Sequence, residues 1–283
     1  MKNKILAALF GFLLLFRNQA ALADDDPALA ADMKDFVTKV KATVQEKKQD
    51  EKDYAVLLKQ ADDMVAKHKD QKTDQVAQIL YLKAMIYSQV LTNSDRTEKA
   101  IAVVQQLKQD FPDTKLGQKA DKIIANFKEG EAAEKVQAAL TAGAPFPDFN
   151  EMDVDGKPVS VAGHRGKVVL VDFWATWCGP CRGEFPNVKK TYEQYHDKGF
   201  DIIGISLDED KGKLADYIKE NGVTWQQYFD GKGWGNKLAA KYGIRSIPAT
   251  ILVDADGKIL GKDLRGDELS AAVAKAVASK GGA

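Results

Sequence analysis

One stretch constrains this chain more than any other. Val168-Val169-Leu170-Val171-Asp172-Phe173-Trp174 runs directly into Ala175-Thr176-Trp177-Cys178-Gly179-Pro180-Cys181. A Val-rich apolar run of this length reads as a buried strand. The residues that follow, Arg182 to His196, read as a helix. Two cysteines at C-x-x-C spacing therefore sit where a core strand gives way to a helix N-terminus. Such an end carries unpaired N–H groups and partial positive charge, which favour a thiolate. The thiolate is the nucleophile of disulfide exchange, and a second thiol one turn on can release the product. Cys178 and Cys181 are the only cysteines in the protein. The loop they close is too short to staple a fold, so the pair reads as a redox-active, shuttling disulfide.

The N-terminus bears on where this chemistry takes place. Lys2 and Lys4 precede an apolar run from Ile5 to Phe16, then Ala21-Leu22-Ala23 and three aspartates. A charged start, a short apolar core and an A-x-A site form the pattern of a secretory signal peptide, residues 1–23. The expectation is an exported, periplasmic protein; an uncleaved membrane anchor is the alternative. No cysteine near position 24 could carry a lipid. Cleavage removes three of the 41 basic side chains and leaves 38 against 41 acidic ones, a net charge of −3. With no basic excess and no Lys/Arg-rich run, nucleic acid is not an expected partner. No other stretch is long and apolar enough to span a bilayer.

Residues 24–140 read as helical throughout. Apolar residues recur at helical spacing in Phe36, Val37, Val40 and Val44, again in Tyr54, Leu57, Leu58, Ala61 and Val65, and in Val76, Ile79, Leu80, Ile86 and Val90. Breaks are expected at 67–73 and 92–95, and a last helix from about Leu116 to Leu140. One segment resembles a degenerate tetratricopeptide repeat through Ala84, Tyr87, Ser88, Leu91, Ala100, Val104, Leu107 and Pro112, over about one repeat. The simpler reading is an amphipathic helical bundle. Either gives an interaction or spacing domain, through which a protein partner or a second copy could bind. The expected boundary is Thr141–Pro147, rich in Pro and Gly. After it, residues 141–283 alternate strands and helices: a hairpin around Asp153-Val154-Asp155-Gly156, strands at 168–174, 200–207, 249–253 and 258–260, and helices between them. Pro186 is expected to kink the helix after the cysteines. The pattern gives an α/β domain, a central sheet flanked by helices, preceded by an all-α domain.

Residues 145–280 resemble the exported TlpA/ResA-like thiol–disulfide oxidoreductases of the thioredoxin-like superfamily. The likeness rests on Val171–Cys181, Glu184-Phe185-Pro186, Ser246-Ile247-Pro248-Ala249-Thr250 and the opening hairpin. It covers about half the chain. It implies that Cys178 is the exposed nucleophile and Cys181 the buried resolving thiol. Asp172 matches the buried acid beneath the second cysteine; a carboxyl in a core strand has a raised pKa and could accept the Cys181 proton. Glu184, on the same helical face as Cys181, matches an active-site glutamate, and a solvated surface carboxylate is the plainer alternative. Trp177 is expected to shield the disulfide, with Trp174 beside it. Pro248 matches a cis-proline, and Ile247 would offer its backbone to an extended substrate peptide.

Competing chemistries lack residues. Zinc needs two ligands beyond the cysteines, and His68, His164 and His196 are not paired at ligand spacing. No metal or cofactor is implied. A binding module with a vestigial redox domain would be favoured by a lost cysteine, and both are present. The Gly-Pro dipeptide equals that of thioredoxin, at about −270 mV, against about −120 mV for a strong exported oxidant. It points to a reductant of disulfides in exported proteins, with apocytochrome c and copper-site cysteines as candidates. By the same resemblance, a membrane thiol transporter would supply the electrons. Oxidase or isomerase action is the alternative.

Overall fold

The computed structural model describes residues 26–280. The expected signal peptide lies outside the described residues. The chain forms two compact units that divide between Glu131 and Ala132.

The first unit is helical. Helix α1 (Pro27–Gln45) starts where the Asp26 carboxylate accepts the N–H groups of Ala28 and Leu29, with Pro27 in the first turn. A short oxygen-bearing side chain at that position satisfies donors that the helix cannot. Asp50 caps α2 (Glu51–Lys67) and Thr73 caps α3 (Asp74–Met85) in the same way. Their apolar stripes meet in one core around Phe36, Tyr54, Ile79 and Leu80. At Ile86–Val90 the ladder widens to a π turn. The Glu51 carboxylate reaches this region, accepting from Lys99 (2.6 Å), Asn93 (3.3 Å) and Tyr87 (3.4 Å). Tyr87 and Ser88, two of the repeat-like residues, fall in this widened turn. Then come α4 (Arg96–Asp110), the short α5 (Lys115–Gln118) and α6 (Ala120–Ala139). Gly117 is packed so tightly that a Cβ there would lie 2.0 Å from the Phe111 carbonyl oxygen.

The division between units falls inside α6, ahead of the Pro/Gly stretch at 141–147. The last residues of that helix belong to the second unit because of their contacts. Gln137 donates to the Tyr242 carbonyl and accepts from Lys262, and Val136 packs on the second core.

In the second unit a two-stranded hairpin, β1 (Glu151–Met152) and β2 (Pro158–Val159), closes on the Asp153 turn. A five-stranded mixed sheet follows. In chain order it is built from β3 (Val168–Trp174), α7 (Gly179–Tyr195), β4 (Phe200–Ser206), α8 (Lys211–Asn221), β5 (Gln226–Phe229), α9 (Lys237–Lys241), β6 (Ala249–Val253), β7 (Ile259–Lys262) and α10 (Gly266–Lys280). The strand order is β5-β4-β3-β6-β7, with β3, β4 and β5 parallel and β6 and β7 antiparallel to their neighbours. β3 is the middle strand and carries the cysteine turn at its end. Successive side chains of a strand point to opposite faces. Val168 and Leu170 therefore pack with Val188, Tyr192, Leu269 and Val273 of α7 and α10. Val169, Val171 and Phe173 pack on the other face with Leu214, Leu238 and Tyr242. α7 runs through Pro186 to Tyr195. β5 is absent from the sequence reading, because Gln226 and Gln227 interrupt any apolar alternation at this sheet edge.

Candidate active site

The same alternation puts Asp172 on the face covered by α7. Cys181 lies in the first turn of that helix, directly above. Cys178 is the N-cap residue of α7, and its Sγ accepts the Cys181 N–H at 3.2 Å. Sγ thus sits at the positive end of the helix, where a thiolate formed on reduction would be favoured. The two cysteines form a disulfide. Contrary to the expected exposed nucleophile, both members are buried, Cys178 at 5% exposure and Cys181 at 6%. The cause is packing: both side chains belong to the second unit's apolar core, beside Trp174 and Ala175.

A small cleft opens on the Cys181 side. Asp172, Trp174, Cys181, Glu184, Pro248 and Arg265 line it. The Asp172 carboxyl is pushed up to about 7, chiefly by burial and further by the charge of Glu184, with Arg265 opposing. Near neutral pH it can therefore hold or release a proton beside Cys181. Glu184 is half-buried: its Oε1 accepts the Gly266 N–H at 2.6 Å, at the start of α10. A carboxylate is stabilised at such a helix end. The bond Ile247–Pro248 is cis. Arg265 donates to the Pro248 carbonyl at 2.7 Å. One short segment, Arg265-Gly266, thus holds both the proline loop and the glutamate of the cysteine helix. Ile247 is half-buried next to Pro248.

Trp174 is buried and donates to Gln227 Oε1 at 2.9 Å. Gln227 reaches it only because β4 has Gly204 there; a Cβ at 204 would lie 2.1 Å from that oxygen. Trp177 instead is 53% exposed, and its ring lies 6.1 Å from that of Trp234.

Four site residues escaped the sequence reading. Arg265 directly precedes α10, and Gln227 lies on the edge strand β5. Trp234 lies in a Gly-rich connection. Asp208, two residues past β4, is buried and accepts both the N–H and the hydroxyl of Thr176. The available signal was weak: an apolar or polar residue out of keeping with its local pattern.

A Redoxin family model matches residues 141–278. The thiol-disulfide oxidoreductase ResA of Bacillus anthracis is 32% identical over 132 residues, which are 47% of this chain and 73% of that protein. The chain belongs to the TlpA/ResA-like thiol–disulfide oxidoreductases. ResA of Geobacillus thermodenitrificans is 31% identical over 137 residues, 48% of this chain and 74% of that protein. Among solved structures, the thioredoxin domain of a thiol-disulfide oxidoreductase from Bacteroides vulgatus is 40% identical, with a TM-score of 0.45, covering 49% of this chain and 99% of that one. Membership makes this protein a protein-disulfide oxidoreductase of thioredoxin-like fold. The family match begins at residue 141, past the first unit. Among the described residues no helix is long and apolar enough to cross a membrane.

Proposed function

We propose that the protein reduces disulfides of exported polypeptides through Cys178 and Cys181. The observation that carries this reading is the Cys178 Sγ at the N-cap of α7, with Cys181 one turn on above the Asp172 carboxyl. In the reduced enzyme the Cys178 thiolate attacks one sulfur of a substrate disulfide. A mixed disulfide forms, and the other substrate sulfur leaves as a thiolate. Asp172 accepts the proton of Cys181, whose thiolate then attacks Cys178 Sγ. The second substrate sulfur is released and the enzyme disulfide closes. Two electrons pass from enzyme to substrate; the two departing substrate thiolates take up one proton from Asp172 and one from water, which received the Cys178 proton when that thiolate formed. Pro248 and the backbone of Ile247 would align the substrate strand, and Trp177 would border it.

Recharging requires a dithiol donor. In an exported protein that donor would be a membrane thiol transporter, acting by the same exchange in reverse. Haem-site cysteines of apocytochrome c, or copper-site cysteines, are the substrates that this reading favours. The helical first unit, with its repeat-like segment, would then hold a protein partner or a second copy. The reduction potential of the cysteine pair in glutathione or dithiothreitol buffers tests the direction. A value at or below about −220 mV supports the reductase; a value near about −120 mV makes the protein an oxidase or isomerase.

A further inference from the structure

Trp234 lies outside the cleft and outside any motif of the sequence, yet it is held in a peculiar way. A tryptophan half in water gives up much of the stabilisation its burial would bring. Trp234 is 52% exposed, close to the 53% of Trp177. The two rings face each other at 6.1 Å and 58°, a tilted pair that still presents indole surface to solvent. Trp177 directly precedes the nucleophilic Cys178.

Both tryptophans stand on turns tied to the end of one strand. Ser206, the last residue of β4, donates its hydroxyl to Asp208 Oδ2 at 2.8 Å. Asp208 accepts the hydroxyl of Thr176 at 2.6 Å and its N–H at 3.1 Å, fixing the residue before Trp177. The carbonyl of Ser206 accepts the Asn236 amide at 3.2 Å. Asn236 is fully buried, two residues after Trp234, and its side chain also caps α9 at Leu238 and Ala239. Asp230 closes the loop from the other side, accepting from Lys232, Asn236 and Lys237. A flexible loop could fold its indole away. This one is braced by buried polar groups, so the ring is held in place beside the disulfide.

We propose that Trp177 and Trp234 form a two-ring platform that selects polypeptide substrates carrying an aromatic residue next to the reactive cysteine. The inference deepens the exchange reading above and rests on Cys178 forming the mixed disulfide. A substrate sulfur bonded to Cys178 brings its neighbouring side chain to the residue beside Cys178, which is Trp177. An aromatic ring there meets two indoles at once and gains edge-to-face contact beyond the area it buries. A small or charged neighbour gains little.

The test uses the full chain in its reduced form and two disulfide peptides that differ only in the residue beside the cysteine, Tyr or Gly. Rates of exchange are followed by the loss of enzyme thiols. The expected preference of the unaltered protein is about tenfold for the Tyr peptide. Trp234→Ala brings the ratio close to one, and Trp234→Phe restores most of it. An unaltered protein without preference, or Trp234→Ala slowing both peptides equally with the ratio intact, overturns the platform. Exchange with neither peptide, nor with a small aryl disulfide, would instead refute the role of Cys178. The two failures are thus separate, and the preference of the unaltered protein decides the case even if a variant folds poorly.

Discussion

The two units use buried polarity differently. In the helical unit, many polar side chains serve the backbone locally: Asp26, Asp50, Thr73 and Thr114 each accept N–H groups two or three residues away. Its long-range polar cluster, Glu51 with Tyr87, Asn93 and Lys99, is only partly buried and lies beside the apolar core. In the redox unit, buried polar groups join distant segments and converge on one strand end. Gln227 meets Trp174 across 53 residues of sequence, Asp208 meets Thr176 across 32 and Glu184 meets Gly266 across 82. Both units cap their helices, but only the redox unit gathers long-range polar bonds around its disulfide. Polar networks of this second kind fix geometry at a risk, since each member left unpaired is costly.

The sharpest way to break the contrast is at the cysteines. Cys178→Ser is expected to abolish insulin reduction, and Cys181→Ser to trap mixed disulfides with exported proteins on non-reducing gels. The absence of any adduct would overturn the assigned order of attack.

Next in size is Asp172→Asn. Turnover at pH 7 should fall about a hundredfold, and the limb of the pH–rate profile near pH 7 should disappear; an unchanged profile removes Asp172 from the mechanism. Stability should move the other way. The native carboxyl sits at about 7, above its unfolded value, so the folded protein binds the proton more tightly. The cost of ionising it is absent below about pH 4, grows between there and pH 7, and is fully present above. Asp172→Asn is therefore expected to stabilise the protein at pH 8, by at most about 4 kcal/mol, and to lose that gain at pH 4. Chemical denaturation at the two pH values checks the sign.

Ile79→Ala tests the other unit. Ile79 is fully buried in the helical core, and its truncation should cost about 2–5 kcal/mol there. Exchange with a small disulfide should be unaltered. A parallel loss of exchange would mean that the two units work as one. The smallest effect concerns the boundary. A fragment of residues 132–283 should melt about 3–8 °C above one of 141–283, because only the longer keeps Val136 and the Gln137 contacts to Tyr242 and Lys262. Equal melting temperatures would put the boundary at the Pro/Gly stretch.

What was legible in the sequence is what depends on near neighbours. The Val-rich strand, the cysteine turn, the helices of residues 26–131 and the Asp153 hairpin are all written in periodicity or in turn residues. The position of Asp172 beneath Cys181 comes from the family resemblance, not from local pattern. Edge strand β5 was not legible, because two glutamines precede its core residue Tyr228 and no apolar alternation forms. Arg265, Asp208 and Trp234 were missed because strand order brings them to the site, and no local pattern records strand order. The burial of Cys178 was missed because it comes from packing in the core beside Trp174 and Ala175, which the local sequence does not record.

Gly204 bears on how such a chain can drift. A glycine in a middle strand is a poor strand former, and alanine would ordinarily be an improvement. Here the smallest added methyl group would meet the amide end of Gln227, which would have to swing away and give up its hydrogen bond with Trp174. Positions 204 and 227 are therefore coupled: a methyl group gained at 204 raises strand propensity and removes the bond that Gln227 makes to the Trp174 ring, so the stability change at 204 is read correctly only against the residue at 227.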